Sequence, residues 1–327
     1  MRSCTPQKQP PARTAFSVFP PIVMHSFCCR FRFPLHNTDA NLAIHAARAI
    51  GPAALAGRAL AKTRWGGKGW TVSTPVAVVT GANRGIGRAI AVGLAASGFT
   101  VAASARDPAS LAGTIAEAGK AGGTAIPLAC DVRDEASVAK MAAQAQALGP
   151  VLTVVANAGV AGPTRPLHEI TLADWRGTLA ADLDGVFLTF RAFIPGMIER
   201  RDGSLIAISS MTGKRPLPGR TPYAAAKMGV IGLVRTLATE LGPYRIRVNA
   251  VCPGPVAGPR MDDVVRKQAA IRGISEEQAR AALTEASPLG RMVEAAEVAA
   301  ACAFLASGGS AAVTGEDLNV TAGVVMY

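Results

Sequence analysis

The chain has 327 residues, half of them hydrophobic, with few aromatics and a formal charge of +12. That is enough to bury a large core, and the wealth of Ala, Gly and Val excludes a disulfide-stapled or fibrous protein. The charge does not demand a nucleic-acid partner, because residues 1–74 hold ten Lys or Arg against Asp39 alone, while the other 24 basic and 21 acidic residues nearly cancel.

Residues 1–74 read as an appendage, with Pro10-Pro11, Pro20-Pro21 and Gly66-Gly67 and one helix-like stretch near Ala43 to Ala61. Two origins fit an Arg-rich, acid-poor segment: an organelle transit peptide, or a start codon placed upstream of a true start near Val72. The six cysteines, Cys4, Cys28, Cys29, Cys130, Cys252 and Cys302, form no Cys-x-x-Cys pair and have no His at zinc-finger spacing. Reduced thiols, an intracellular and cytoplasmic protein and no metal site are expected. No apolar run approaches the ~18 residues of a membrane span.

From Pro75 onward, short β-branched runs alternate with stretches of helical period, the pattern of a doubly wound parallel sheet with helices on both faces. Seven strands are predicted, at Val76–Val79, Thr100–Ala105, Thr124–Leu128, Val151–Val155, Ser204–Ser209, Arg245–Val251 and Asp317–Val320. Helices fall between them at about 85–97, 108–120, 134–148, 172–200, 223–242 and 294–307. The strandless stretch 254–292 follows the sixth strand, where open α/β sheets bind their ligands, and is expected to be a lid.

The first strand runs straight into Thr80-Gly81-Ala82-Asn83-Arg84-Gly85-Ile86-Gly87 and a helix. Glycines there permit positive φ and close backbone approach, and the helix N-terminus favours a pyrophosphate. Tyr223-Ala224-Ala225-Ala226-Lys227 puts a phenol and an ammonium one helical turn apart, on one face. A phenol ordinarily titrates near 10, and a neighbouring ammonium eases loss of its proton, which suits it to exchange a proton with a substrate oxygen. Ser210 stands thirteen residues before Tyr223 at the end of a strand, where its hydroxyl could bond the same oxygen. Ser209 is the neighbouring alternative, less well spaced.

These motifs, a TGxxxGxG loop followed by Ser210, Tyr223 and Lys227, resemble those of the short-chain dehydrogenase/reductase family, and the resemblance runs through residues 75–327. It implies a single Rossmann-type domain and hydride exchange between a nicotinamide cofactor and a hydroxyl or keto substrate, including a 3-oxoacyl thioester. It implies the catalytic set Ser210, Tyr223 and Lys227, with Asp182 where the family has an Asn that helps hold a proton-relay water. Cofactor contacts are implied for Gly81, Asn83, Arg84, Gly85, Ile86, Gly87, Asp131, Val132, Asn157, Tyr223, Lys227, Pro253, Gly254 and Val256. Asn157, in Ala156-Asn157-Ala158-Gly159, resembles an element that also steadies the central sheet, though the first Asn of that element is Ala156 here. Lys227 would also hold the nicotinamide ribose, and long helices at 172–200 and 223–242 imply a dimer or tetramer.

The end of the second strand, Ser104-Ala105-Arg106-Asp107, bears on the cofactor's phosphate form. Ala105 stands where an NAD site places a carboxylate on the ribose, and Arg106 and Arg84 offer cations to a 2′-phosphate, which favours NADP(H). The other reading leaves Arg106 a solvated charge, has Asp107 supply the acid one position late, and permits NAD(H). Gly258 replaces a usual Thr, and Thr321-Ala322-Gly323 a usual Asp-Gly-Gly. The mixed charges of the lid name no substrate; its Met261, Val264, Val265 and Ile271 either line an apolar pocket or pack the lid on its own domain. Two further functions are conceivable, a catalytically lapsed cofactor-binding scaffold and a nucleic-acid binder using the basic N-terminus. The intact trio argues against the first and the balanced domain charge against the second.

Overall fold

A computed structural model describes residues 74–327, so the predicted extension, its helix-like stretch and Cys4, Cys28 and Cys29 lie outside the described residues. Seven strands form one parallel sheet: β1 (Val76–Thr80), β2 (Thr100–Ala105), β3 (Thr124–Ala129), β4 (Val151–Ala156), β5 (Gly203–Ile208), β6 (Ile246–Pro253) and β7 (Asp317–Val320). Their order is β3-β2-β1-β4-β5-β6-β7. The chain thus builds outward from β1 to β3, crosses back and builds the other way from β4, leaving a topological switch point between β1 and β4. Every residue of β1 is buried, as expected of a parallel strand covered on both faces.

Helices α1 (Gly85–Ala96), α2 (Ala112–Lys120) and α9 (Ala295–Ala306) cover one face, where Ile90, Leu94, Leu111, Val298 and Leu305 are buried. Gly93 lets α1 and α9 approach closely, since a Cβ there would already touch Ala299 at 3.6 Å. On the other face α3 (Glu135–Ala147), α5 (Gly185–Arg200) and α6 (Thr221–Leu241) bury Met141, Phe190, Phe193, Met197, Val230 and Val234. Each such large apolar side chain removed from water contributes about 1.5–3 kcal/mol. Cys130, Cys252 and Cys302 are buried and unpaired, and burial pushes their thiols up to about 11, 11 and 12, so they behave as small hydrophobes.

One predicted element differs. The single helix expected over 172–200 is α4 (Leu172–Leu179) and α5 joined by a π-turn, Ala180–Asp184. A wide turn inserts an extra residue, which turns Asp182 to the interior, where it is fully buried. The strandless stretch 254–292 holds two helices, α7 (Pro259–Arg272) and α8 (Glu276–Glu285). Val265, Ala269 and Ala279, with Met261, Ile274 and Leu283 against them, form a small core of their own. Met261 and Val265 therefore pack within this segment, and Ile271 is exposed. No helix among the described residues is long and apolar enough to cross a membrane.

Candidate active site

The glycine loop and β4 are clasped together at the switch point. The Thr80 hydroxyl accepts from the backbone N–H groups of Asn157 and Ala158, both at 3.0 Å, and the Asn157 amide donates to the carbonyls of Thr80 and Gly81 at 2.8 and 3.2 Å. Gly81 and Gly85 adopt φ of 66° and 54°. A Cβ on Gly81 would lie 2.9 Å from the Ala158 Cα, and one on Gly87 would collide with the Gly81 carbonyl and the Asn157 amide. Arg84 caps α1 in extended conformation with no side-chain hydrogen bond to the helix end, and no acid sits in the first turn. The first N–H groups of α1 thus remain open to an anion, and the glycines clear space for it, so the loop fits a dinucleotide pyrophosphate. Asn83 gives its carbonyl to Arg88 at 2.8 Å, and Ile86 packs on the adjoining core. Replacing Gly87 by Ala should weaken dinucleotide binding at least tenfold and lower the melting temperature, since backbone must move; isothermal titration would reveal an unchanged Kd if the close approach were unimportant.

At the edge of that cradle, Ala105 is buried and Arg106 and Asp107 are exposed. The Asp107 carboxylate accepts the Ala109 N–H at 3.0 Å, capping the short 3-10 turn that follows. Asp131 is gripped in a fork by Arg133, at 2.6 and 3.0 Å. That bonding holds its carboxyl down at about 2. Val132 turns its side chain into the core, where it fills the space beside Gly185. Pro253 ends β6, Gly254 donates its N–H to Val320 at 2.9 Å, and Val256 bridges to Val293 as the chain enters the α7–α8 segment.

The proton-handling residues gather at the ends of β4 and β5. Tyr223 occupies the third position of α6 and is half-buried. Lys227, one turn later, is 4 % exposed; its Nζ donates to the Ile208 carbonyl at 3.0 Å and stands 5.6 Å from the Tyr223 ring centre. The two serines separate cleanly. Ser209 donates its hydroxyl to the Lys227 carbonyl at 2.8 Å, whereas Ser210 is left with a capping bond, accepting the Thr212 N–H at 3.1 Å. A serine hydroxyl that only accepts retains its proton for another oxygen.

Asp182 joins this group from the π-turn. Its Oδ1 lies 3.1 Å from Lys227 Nζ, at an angle that makes an ion pair without a hydrogen bond, and Oδ2 accepts the Val160 N–H at 3.4 Å. Gly159 permits the approach, because any Cβ there would strike Oδ1. The predicted position is therefore adjacent to the lysine, with direct charge pairing in place of a neutral amide.

Two arginines beside Tyr223 carry no signal in a motif search. Arg220, three residues earlier, is only 4 % exposed, and its guanidinium stacks 4.6 Å from the Tyr223 ring centre. Burial pulls it below the ordinary arginine value; Tyr223 opposes that pull, while Arg260 adds to it. Arg260, in the first turn of α7, lies 6.0 Å from the same ring and donates to the Val160 carbonyl at 2.9 Å. A further tie, from the Gln268 amide to the Pro218 carbonyl at 3.0 Å, fastens α7 over this end of the sheet.

Residues 81–325 match the family profile described as Enoyl-(Acyl carrier protein) reductase. The chain is 40% identical over 260 residues to the granaticin polyketide synthase putative ketoacyl reductase 1 of Streptomyces violaceoruber, covering 79% of this chain and 95% of that protein. It is 37% identical over 261 residues to the (3R)-3-hydroxyacyl-CoA dehydrogenase of Homo sapiens, covering 77% and 95%. Among solved structures, an actinorhodin polyketide ketoreductase with NADPH superimposes with a TM-score of 0.74 at 36% identity, over 78% of this chain and 98% of the other.

Proposed function

Because this chain belongs to the short-chain dehydrogenase/reductase family and is an oxidoreductase acting between a nicotinamide cofactor and a hydroxyl or keto carbon, we propose that it is an NADPH-dependent reductase of a 3-oxoacyl thioester. The observation that carries the reading is the convergence of the Ser210 hydroxyl, Tyr223 and buried Lys227 at the ends of β4 and β5, beside the loop that fits a pyrophosphate. The names of the granaticin and human relatives, a putative ketoacyl reductase and a (3R)-3-hydroxyacyl-CoA dehydrogenase, support an acyl substrate that bears a keto or hydroxyl group.

A nicotinamide cofactor held at Gly81, Gly85 and Gly87 would, when bound, supply the hydride that reduces the carbonyl carbon. Ser210 donates its hydroxyl proton in a hydrogen bond to the carbonyl oxygen, which steadies negative charge as it develops there. Tyr223 gives its phenolic proton to that oxygen. Lys227 has three donors, of which the Ile208 carbonyl fixes one, and its Nζ stands 5.6 Å from the Tyr223 ring centre. Asp182 holds the Lys227 ammonium in place from behind. The Arg260–Val160 contact and the α7–α8 segment close the mouth as a lid. A panel of 3-oxoacyl thioesters, simple ketones and alcohols assayed with NADP(H) and NAD(H) tests the proposal; turnover of none of the 3-oxo compounds would sink it.

For the phosphate form, the Asp107 carboxylate is committed to the Ala109 N–H, while Arg106 and Arg84 remain exposed at the cradle's edge. This supports NADP(H) over NAD(H). Arg106→Asp should cut the ratio of specificity constants, NADP(H) to NAD(H), by at least tenfold, and an unchanged ratio would refute the assignment. Residues 75–327 form the catalytic domain in this proposal, with residues 1–74 a dispensable extension of a cytoplasmic enzyme. Exposed Phe187 on α5 and Met228 on α6 support association of copies through these helices, as a dimer or tetramer.

A further inference from the structure

Arg220 is the one charged group beside the reacting centre for which the mechanism above has no use. Its Nε and Nη1 are buried and have no hydrogen-bond partner among the described residues. A guanidinium never sheds its charge at working pH, so two unpaired, desolvated N–H groups are a standing cost unless an acceptor arrives to meet them. The nearest acids are spoken for: Asp182 pairs with Lys227, and Asp263 with Lys267 at 2.7 Å. A second cation, Arg260, converges on the same Tyr223 ring and sharpens the shortage of acceptors.

We propose that Arg220 is a substrate-specificity residue that donates to a second oxygen of the substrate, the carboxyl-carbon oxygen next to the keto group that Tyr223 protonates, whether thioester carbonyl or free carboxylate. Stacking fixes the guanidinium plane within a few ångström of the phenol, so an oxygen a short carbon chain away from the reacting carbonyl falls within its reach. Arg260, 6.0 Å from the same ring centre, adds long-range attraction for an acceptor that carries charge. A lone ketone offers no such oxygen and leaves the buried donors unpaired, which discriminates against it.

The proposal rests on the reductase reading, and the test separates the two. The full chain and its Arg220→Met and Arg220→Lys variants are assayed with NADPH on acetoacetyl-N-acetylcysteamine, acetoacetate and cyclohexanone. Wild type should prefer at least one 3-oxo compound over cyclohexanone. Arg220→Met should lower that preference about 10–100-fold, with Arg220→Lys between them. The compound whose turnover falls names the source of the oxygen. Equal loss on all three substrates, or a wild type indifferent between 3-oxo compounds and cyclohexanone, overturns the proposal. Should wild type reduce none of the three, the reductase reading fails, and thermal shift of the NADPH-loaded protein decides. A rise in melting temperature with either 3-oxo compound that Arg220→Met abolishes supports Arg220 binding, and no rise in wild type overturns it. Removing an unpaired buried charge should not lower the variant's own melting temperature.

Discussion

Tyr223→Phe is expected to lower kcat by about 10²–10⁴-fold while leaving the Kd for the nicotinamide cofactor within about twofold. The substitution deletes one oxygen and keeps the ring, so the stacking of Arg220 at 4.6 Å and the distance to Lys227 at 5.6 Å have no reason to change. The loop proposed to hold the pyrophosphate is built from Gly81, Gly85 and Gly87 and is clasped by Asn157, none of which belongs to α6. In the proposed mechanism this removes the phenolic proton donor, while the Ser210 hydroxyl keeps its bond from the Thr212 N–H. Steady-state turnover and cofactor fluorescence titration check the two halves, and near-native kcat would remove Tyr223 from the mechanism.

The second large effect falls on stability as well as turnover. Lys227→Met strands Asp182, whose carboxylate is fully buried and whose sole ion-pair partner among the described residues is that ammonium. Breaking a buried pair from one side costs about 3–5 kcal/mol. For a domain of this size that corresponds to a fall in melting temperature of roughly 6–20 °C. Turnover should drop with it. Adding Asp182→Leu to the same chain removes the stranded charge and should restore much of the melting temperature with no recovery of activity. Calorimetry on the single and double variants decides: additive losses would mean that the pair contributes no mutual stabilisation.

The sheet was legible because parallel strands buried on both faces read as unbroken apolar runs, Val76–Thr80 and Leu205–Ile208 being clear cases. All seven predicted strands occur, most with ends displaced by a residue or two. The trio was legible because its spacing is local: one helical turn from Tyr223 to Lys227. The spacing to Tyr223 favours Ser210 over Ser209, and the structure adds a physical reason, since the Ser209 hydroxyl is consumed by a carbonyl eighteen residues away in sequence. The break at Ala180–Asp184 was hidden, because a π-turn changes the hydrophobic period over only five residues. Arg220 and Arg260 were invisible for another reason. They lie forty residues apart, and only the packing of α7 over the start of α6 makes them neighbours. Likewise, no motif shows that Asp131 spends its carboxylate on Arg133 or Asp107 on a cap.

The Thr80–Asn157 clasp carries a thermodynamic consequence. One hydroxyl and one amide tie the mouth of the cofactor loop to the top of β4, so the two cannot loosen separately. Any ligand held by the loop then draws free energy from an equilibrium shared with the centre of the sheet, and occupancy raises the cost of unfolding by RT ln(1 + [L]/Kd). Cofactor concentration in the surrounding solution thereby becomes one of the variables that sets how long this chain survives heat, denaturant or a protease.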